Sequence, residues 1–254
     1  MKREFGLIGR GIGHSFSARY FNDKFAEYGI DASYSLFDLQ NIQELTKLLS
    51  SHPKLMGLNV TSPYKREVIQ YLDELSDEAK ILDAVNVIEF IPKGNLDVKL
   101  KGHNTDCPAF GISLQNFLSV SNFDYGKALV LGTGGASSAV CLALENLSIP
   151  YLQVSRSPLG NEISYYEANR LLPHFNIIVN ATPVGMSPNV EFYPDLDYKK
   201  ISERHFCYDL IYNPSETLFL KKCKEKGATV KNGLEMLTTQ ADLAWNIWND
   251  FNEG

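Results

Sequence analysis

Short apolar runs alternate with amphipathic stretches along the first hundred residues. The runs EFGLIG, ASYSLFDL, LMGLNV, AVNVIEF and LDVKLKGHN predict strands, with a turn over Pro92–Asn95 between the last two. Two of the amphipathic stretches predict helices, one over Ser17–Gly29 and one capped by Asn41. A further helix is predicted to begin with Ser62 as its N-cap and Pro63 at its first position.

The second part of the chain repeats this alternation. After a predicted helix over Pro108–Ser119 and a turn over Asp124–Gly126, strands are predicted at KALVLG, PYLQVS, NIIVNA, FCYDLI and ATVKNG, with helices between most of them. The stretch LEMLTTQADLAWNIWNDF predicts a long amphipathic helix at the end. Strands that alternate with helices favour an α/β, doubly wound fold with parallel sheets. Two such units joined near residue 104 predict a cleft between them, where ligands commonly bind.

Composition and charge narrow the class of protein. Hydrophobic residues make up 44% of the 254 residues, charged residues 21%, and the net charge is −6, which gives no reason to expect nucleic-acid binding. No stretch approaches the roughly 20 apolar residues of a membrane span, and we expect a cytoplasmic protein. No Cys/His cluster has metal-ligand spacing, so we expect no metal and four reduced thiols. These are Cys107, Cys141, Cys207 and Cys223.

A glycine-rich turn is the strongest single motif. In ALVLGTGGASSAV an apolar strand runs into four turn residues, and a helix opens at Ala136. Glycines let the backbone turn tightly and approach a pyrophosphate, which then lies at the helix N-terminus. The sixth position of the dinucleotide pattern GxGxxG is Ser137 here, and a loop of this kind by itself is also found as a plain turn. The turn residues are Gly132, Thr133, Gly134 and Gly135.

The end of the next strand bears on the choice of cofactor. NAD-binding proteins usually carry an acidic residue there, about 20 residues after the glycines, for the ribose 2′-hydroxyl. This strand instead ends with Ser155, Arg156 and Ser157. A guanidinium group suits a 2′-phosphate, so the sequence favours NADP over NAD. The alternative is that Arg156 is a solvated loop residue.

Polar residues gather where strands are predicted to end. In open α/β sheets, ligands bind outside the carboxyl ends of strands, and neutral amides and hydroxyls suit a small polyhydroxylated ligand. Each residue also has a structural interpretation: Ser17 and Asp106 as helix caps, and Asn86 as the partner of a buried backbone group. Tyr212 and Gln240 are open to an ordinary structural role as well. The strand-end residues are Ser15, Ser17, Asn59, Thr61, Asn86, Asn104, Thr105 and Asp106.

Eight short segments occur in the order and spacing of one family. They are HSFS (14–17), NVTSPYK (59–65), AVN (84–86), NTD (104–106), GTGGAS (132–137), NAT (180–182), YDLIY (208–212) and GLEMLTTQ (233–240). With these segments, the chain resembles shikimate dehydrogenase over nearly its whole length. The resemblance implies a substrate domain over 1–103, joined by the C-terminal helix 236–254, and a Rossmann-like NADP-binding domain over 104–235. It implies reversible NADPH-dependent reduction of 3-dehydroshikimate to shikimate, in aromatic amino-acid biosynthesis, by a monomer or homodimer.

The resemblance also implies roles for individual residues. Lys65 and Asp106 match the catalytic pair. Ser15, Ser17 and Tyr212 match residues that hold the substrate carboxylate. The ring hydroxyls and carbonyl are matched by Asn59, Thr61, Asn86 and Gln240. The phosphate loop matches Gly132, Thr133, Gly134, Gly135 and Ala136, the 2′-phosphate site matches Ser155, Arg156 and Ser157, and the nicotinamide end matches Thr182, Leu210 and Gly233.

Three positions depart from the family pattern. The 2′-phosphate segment carries one arginine where relatives have two basic groups, which implies a reduced preference for NADP. Cys107 replaces the glycine of NTDG, beside Asp106. Glu235 replaces the middle glycine of GLGML, near the reactive end of the cofactor.

The predicted position of Lys65 suggests a mechanism. In the first turn of a helix, an ammonium group faces the positive end of the helix dipole, and a destabilised ammonium gives up its proton more readily to a substrate oxygen. The alternative is a purely electrostatic role for Lys65, with water moving the proton. Two rival functions stay open: an enzyme that also accepts quinate, with NAD or both cofactors, and a catalytically silent nucleotide sensor on the same fold.

Overall fold

The computed structural model describes residues 2–93, 97–119 and 126–249, which divide into two compact units. The first unit comprises Met1–Thr105 with Ala241–Gly254, and the second comprises Asp106–Gln240. Residues 94–95 of the predicted turn over Pro92–Asn95 and residues 124–125 of the predicted turn over Asp124–Gly126 lie outside the described part of the chain.

The first unit is built on a six-stranded mixed sheet with the strand order β2-β1-β3-β5-β6-β4. Strand β1 is parallel to β2 and β3, whereas β5 is antiparallel to both β3 and β6. The sequence predicted parallel pairing, but the β5–β6 hairpin reverses the chain direction. The elements are β1 Arg3–Gly9, α1 Phe16–Glu27, β2 Ala32–Asp38, α2 Glu44–Ser51, β3 Leu55–Val60, a 3₁₀ helix Glu67–Tyr71, β4 Glu74–Leu75, α3 Asp77–Leu82, β5 Val87–Lys93 and β6 Asp97–His103.

Two apolar clusters cover the two faces of this sheet. Ile8 lies in one cluster and the adjacent Leu7 in the other, as the alternation of side chains along a strand requires. The Leu7 cluster includes the end of the last helix, α8 Leu234–Asn249, through Trp248. The Trp248 Nε1 group donates to the Ile88 carbonyl oxygen at 3.1 Å. A Cβ atom on Gly57 would overlap the Trp248 indole, so a glycine is needed there for the helix to pack.

The second unit holds a six-stranded, fully parallel sheet with the order β12-β11-β10-β7-β8-β9. Numbered from the first strand of the unit, this is the 3-2-1-4-5-6 order of the Rossmann fold, whose ligand-binding crevice lies at the carboxyl ends of β7 and β10. The doubly wound prediction is confirmed. The elements are α4 Asp106–Leu118, β7 Ala128–Leu131, α5 Gly135–Asn146, β8 Tyr151–Ser155, β9 Ile163–Ser164, α6 Tyr165–Leu171, a 3₁₀ helix Leu172–His174, β10 Ile177–Asn180, a 3₁₀ helix Tyr198–Lys200, β11 Phe206–Asp209, α7 Leu218–Lys224, β12 Thr229–Lys231 and α8.

The predicted helix at Pro63 is wrong. Residues 62–66 form turns, the Ser62–Pro63 peptide bond is cis, and the 3₁₀ helix Glu67–Tyr71 follows. In a helix, the Lys65 carbonyl oxygen would accept from the residue four positions later. It accepts instead from the Val85 backbone N–H at 2.7 Å, while Ile69 donates to Arg66. Lys65 therefore lies in a turn fixed by a tertiary contact, and the helix-dipole explanation for it does not hold.

Two predicted caps are also wrong. The N-cap of α1 is Ser15, whose Oγ accepts from the Ser17 backbone N–H at 3.3 Å, and not Ser17 itself. Helix α2 begins at Glu44 after Gln43, whose side chain makes no capping bond. The Asn41 side chain donates to the Glu44 carboxylate at 3.2 Å instead. None of the helices in the described ranges has the length and apolar character needed to cross a bilayer.

Candidate active site

The polar residues of the first unit meet at one edge of its sheet. Parallel β1 and β3 both end there, and the ladder pairs Asn59 with Val87 and Val87 with His103. Antiparallel β5 therefore begins at the edge where β3 and β6 end. The segments that carry Thr61, Asn86 and Asn104 adjoin these strand ends, which confirms that the strand pattern gathers them at one edge.

Three buried amides are hydrogen-bonded at this edge. The Tyr34 hydroxyl donates to Asn59 Oδ1 at 2.7 Å, and Asn59 Nδ2 donates to the Asn86 carbonyl oxygen at 3.2 Å. Asn86 Oδ1 accepts from the Thr105 backbone N–H at 2.8 Å, and Asn86 Nδ2 donates to Thr105 Oγ1 at 3.0 Å. Asn104 Nδ2 donates to the Ala84 carbonyl oxygen at 3.0 Å. The structural role considered for Asn86 is thus present, and substrate binding by these amides stays a prediction.

Hydroxyl groups and one ammonium group lie on the segments that follow β1 and β3. Ser15, Ser17, Thr61 and Lys65 are all half-buried. The Thr61 backbone N–H donates to the Ile8 carbonyl oxygen at 2.9 Å. A Cβ atom on Gly9 would overlap the Thr61 methyl group, so this glycine lets the end of β1 lie directly against Thr61.

The glycine-rich turn of the second unit leaves its backbone open. Gly132 has a φ of +108°, and a Cβ atom there would lie 3.0 Å from the Thr182 methyl group, so this position needs glycine. Gly134 is the N-cap of α5 and Gly135 its first residue. No described atom lies within 4 Å of a Cβ atom built on either, and residues 133–136 are exposed. The first N–H groups of α5 are therefore accessible to an anion such as a pyrophosphate.

Ser137 replaces the third glycine of the dinucleotide pattern without opening the turn. Its side chain is fully buried, and its hydroxyl donates to the Gly132 carbonyl oxygen at 2.6 Å. Gln153 Nε2 on β8 donates to the same hydroxyl at 3.1 Å. A serine at this position therefore closes the loop against the neighbouring strand and keeps the close helix–strand packing that the pattern requires.

The residues predicted for a 2′-phosphate lie at the carboxyl end of β8. Ser155 Oγ accepts from the Ser157 backbone N–H at 3.2 Å, and Arg156 is exposed. Burial raises the pKa of Tyr165, and the positive charge of Arg156 opposes that shift.

The residues predicted for the nicotinamide end follow three adjacent strands of the second sheet: Thr182 follows β10, Leu210 follows β11 and Gly233 follows β12. The Thr182 backbone N–H and hydroxyl both donate to Asn180 Oδ1, at 3.1 and 2.6 Å. The Gly233 backbone N–H donates to the Ile211 carbonyl oxygen at 3.1 Å. A Cβ atom on Gly233 would overlap the Leu210 carbonyl oxygen, so Leu210 and Gly233 are in direct contact.

The structure explains Glu235, which replaces a glycine of the family pattern near the residues predicted for the nicotinamide end. Glu235 lies in the first turn of α8, where a negative charge is favourable. Asn116 Nδ2 on α4 donates to its Oε1 at 2.7 Å, and the Lys231 ammonium pairs with its Oε2. Burial acts to raise the pKa of this carboxyl, but the bonds from Asn116 and Lys231 outweigh it and lower the pKa. Glu235 therefore links α8 to α4 and β12.

The remaining predicted residues lie on helices α4 and α8 and on the loop after β11. Asp106 is the first residue of α4 rather than a cap that precedes it, and Cys107 beside it is buried, with Asn146 Nδ2 at 3.8 Å from its Sγ. Gln240 lies on α8, and Tyr212 is 37% exposed. Lys65 belongs to the first unit and Asp106 to the second, so their pairing stays a prediction. Within the described ranges, no group of three or more His, Cys, Asp or Glu side chains is arranged to hold a metal ion.

The strand order of the second unit and its open glycine turn define a Rossmann-like dinucleotide-binding protein. The family model for the shikimate dehydrogenase substrate binding domain matches residues 7–88. The shikimate dehydrogenase (NADP⁺) of Pelagibacter ubique is 37% identical over 262 residues, which span 98% of this chain and 94% of that protein. The chain belongs to the shikimate dehydrogenase family, as its eight motifs predicted.

Solved structures agree with this assignment. The shikimate 5-dehydrogenase of Thermus thermophilus, in complex with NADP(H) and shikimate, has a TM-score of 0.81 and 29% identity, covering 97% of this chain and 93% of that one. The quinate dehydrogenase of Corynebacterium glutamicum, in complex with NAD, has a TM-score of 0.86 and 25% identity, with the same coverage of 97% and 93%.

Proposed function

We propose that this protein catalyses the reversible NADPH-dependent reduction of 3-dehydroshikimate to shikimate. The observation that carries the proposal is the match to an NADP⁺-dependent shikimate dehydrogenase over 98% of the chain. Two features of the structure support it independently. The first unit carries amides, hydroxyls and an ammonium group near the ends of its strands, which are suited to a polyhydroxylated acid. The second unit has open backbone N–H groups at the start of α5, which are suited to a dinucleotide.

Each half of the proposed reaction has its own residues. NADPH, when bound, supplies the hydride for the carbonyl carbon. The Lys65 ammonium group donates a proton to the carbonyl oxygen, and the Asp106 carboxylate orients and stabilises that ammonium group. The substrate carboxylate is bound by Ser15, Ser17 and Tyr212. The ring is held by Asn59, Thr61, Asn86 and Gln240.

The cofactor site is formed by backbone more than by side chains. Gly132, Gly134 and Gly135 hold the pyrophosphate at the start of α5, because side chains there would occupy the space it needs. Arg156 with Ser155 and Ser157 holds the 2′-phosphate, and its planar guanidinium group is suited to phosphate oxygens. Since this segment has a single arginine, we expect a preference for NADP over NAD that is smaller than in relatives with two basic groups.

A matrix of substrates and cofactors tests the proposal. Purified protein is assayed with shikimate or quinate and with NADP⁺ or NAD⁺, by the absorbance of the reduced cofactor. We expect the highest kcat/KM for shikimate with NADP⁺. Arg156→Ala should lower kcat/KM for NADP⁺ by about tenfold, the value of one charge-assisted contact, and leave NAD⁺ unaffected. The control Arg204→Ala changes an exposed arginine before β11, at the opposite edge of the sheet.

Two other outcomes would point to the rival functions. Higher kcat/KM with quinate and NAD⁺ would favour the second candidate, a quinate dehydrogenase, which the likeness to the Corynebacterium enzyme keeps open. Cofactor binding without turnover on either acid would indicate a nucleotide sensor. The cytoplasmic location and the monomeric or dimeric state stay predictions from the sequence.

A further inference from the structure

A buried carboxylate lies at the carboxyl end of β11, and the proposed reaction gives it no role. Asp209 is fully buried. Its Oδ1 accepts from Asn180 Nδ2 and from the Ile211 backbone N–H, each at 3.0 Å, and its Oδ2 accepts from the Thr217 hydroxyl. Within the described part of the chain, all three donors are neutral. Burying a carboxylate among neutral groups is costly, so its retention at a ligand-binding edge calls for an explanation.

The bond to Asn180 fixes the group that holds Thr182. Because Asn180 Nδ2 points to Asp209, its Oδ1 faces Thr182 and accepts from both the backbone N–H and the hydroxyl of that residue. The Thr182 hydroxyl in turn accepts from the Val184 backbone N–H at 3.2 Å. An amide rotated by half a turn would place its NH₂ group against these donors. The carboxylate, together with the Val184 carbonyl oxygen that accepts from the same Nδ2 at 3.4 Å, therefore selects one orientation of Asn180 and, through it, one position of Thr182.

The other two bonds fix the segment after β11. The Ile211 N–H bonds to Asp209 while the Ile211 carbonyl oxygen accepts from Gly233, so the carboxylate and the start of α8 hold this residue from both sides. Leu210 and Tyr212 are its chain neighbours. Thr217 is the N-cap of α7 and accepts from the Leu220 N–H at 3.4 Å. Asp209 thus joins the Thr182 loop, the Leu210–Tyr212 segment and the start of α7.

We infer that Asp209 is a positioning residue for hydride transfer, which holds the Thr182 loop and the Leu210–Tyr212 segment in register for the nicotinamide ring. This inference rests on the proposed function, and it gives Asp209 no contact with substrate or cofactor. A carboxylate suits the role because both of its oxygens only accept, so three converging donors are satisfied together. Burial raises the pKa of this carboxyl from 3.8 to about 6, so holding the charge at neutral pH opposes folding, as is common at functional sites.

The test separates the nicotinamide end of the cofactor from its adenosine end. The probes are NADP⁺ and adenosine 2′,5′-bisphosphate, which lacks the nicotinamide, and calorimetry gives both affinities for wild type and Asp209→Asn. We expect the variant to lose about tenfold in affinity for NADP⁺ relative to the bisphosphate, and kcat to fall by about tenfold or more. The isotope effect with NADPH deuterated at C4 of the nicotinamide should rise, because hydride transfer becomes slower.

Further variants distinguish positioning from a general loss of structure. The pair Thr217→Ser and Thr217→Val keeps or removes one donor. Because valine also removes the N-cap of α7, the two variants are compared at a temperature where both are folded, and we expect the serine variant to retain more kcat there. The double variant Asn180→Ala with Asp209→Asn should lose less kcat than the product of the two single losses, because the two residues share one hydrogen bond. The two Thr217 variants still test the inference if Asp209→Asn does not fold.

The outcomes for the two proposals are distinguishable. An equal loss of affinity for NADP⁺ and for the bisphosphate, or an unchanged kcat, would overturn the positioning role. A wild-type protein that binds both ligands without turnover would overturn the proposed function. The ratio of the two affinities would still decide whether Asp209 organises the nicotinamide end.

Discussion

Under the proposed function, the carboxyl-end edges of the two sheets recognise their ligands in opposite ways. At the edge of the first unit, the recognition is by side chains, and Asn59, Asn86 and Thr105 are held in fixed orientations by hydrogen bonds to one another. At the edge of the second unit, the recognition is by backbone, because Gly134 and Gly135 leave the first turn of α5 open. A small acid with several hydroxyls needs directional groups, whereas a pyrophosphate needs N–H groups and space.

The test with the largest expected effect removes the Lys65 ammonium group from the first unit. Lys65→Ala should lower kcat by about 10²- to 10⁴-fold, the usual range for a general acid, with a smaller change in the KM for shikimate. Steady-state kinetics checks this. The matched control is Arg66→Ala, since Arg66 is adjacent, exposed and paired with Asp83 at 3.1 Å. It should retain wild-type kcat.

A conservative variant then separates two roles for the same lysine. Lys65→Arg keeps the positive charge but does not release a proton at working pH. Low turnover in both variants supports proton donation. Near-normal turnover in Lys65→Arg, with a changed pH profile, would favour the electrostatic role in which water moves the proton. Near-normal turnover in Lys65→Ala would contradict both the proton-donating and the electrostatic role.

The next test adds a side chain to the glycine-rich turn at the start of α5. Gly134→Ala should destabilise the protein by no more than about 1 kcal/mol, because its Cβ meets open space and its φ of −86° suits alanine, so only the weaker N-cap preference of alanine opposes the change. The KM for NADP⁺ should nevertheless rise by about tenfold or more, because the methyl group occupies the place of the pyrophosphate. Urea denaturation and cofactor titration measure the two quantities.

A contrasting variant in the same turn makes that result interpretable. Gly132→Ala introduces a side chain at a φ of +108° and 3.0 Å from the Thr182 methyl group, so it should destabilise the fold as well by about 1–3 kcal/mol. If Gly134→Ala binds NADP⁺ as wild type does, the pyrophosphate does not lie at the start of α5.

The sequence predicted the strands that have a clear hydrophobic pattern. It did not predict very short strands or segments whose conformation depends on contacts with residues far away in the chain. Strands β7, β8, β10 and β11 have four or five residues and β12 has three, and their apolar or alternating pattern was sufficient to predict them. Strands β4 and β9 have two residues each and leave no detectable period. The turn at Lys65 depends on a bond from Val85, twenty positions later, which no local propensity encodes.

The candidate site divides in the same way. The glycine turn and the strand-end residues were visible because each belongs to a short local motif. Asp209 was also inside a recognised motif, YDLIY, yet its role depends on Asn180 and Thr217, 29 positions before it and 8 after it. A partner at that separation is specified by strand order, so the network appears only when β10 and β11 lie side by side.

The smallest expected effect concerns the opposite edge of the second sheet, where His205 precedes β11. His205 is buried, its Nδ1 accepts from the Ser202 N–H at 3.0 Å, and burial lowers its pKa from 6.5. Below about pH 6.5 the unfolded chain therefore binds a proton that the folded protein resists, and the free energy of unfolding falls as pH falls. The Asp209 carboxyl, with its raised pKa, acts with the opposite sign, so the comparison must be with a variant. His205→Asn keeps an acceptor near Nδ1 without the titration. Urea denaturation from pH 7.5 to 5 should show wild type losing stability relative to this variant below pH 6.5. If the free energies of unfolding of the two proteins change in parallel with pH, His205 is protonated as readily in the folded protein as in the unfolded chain.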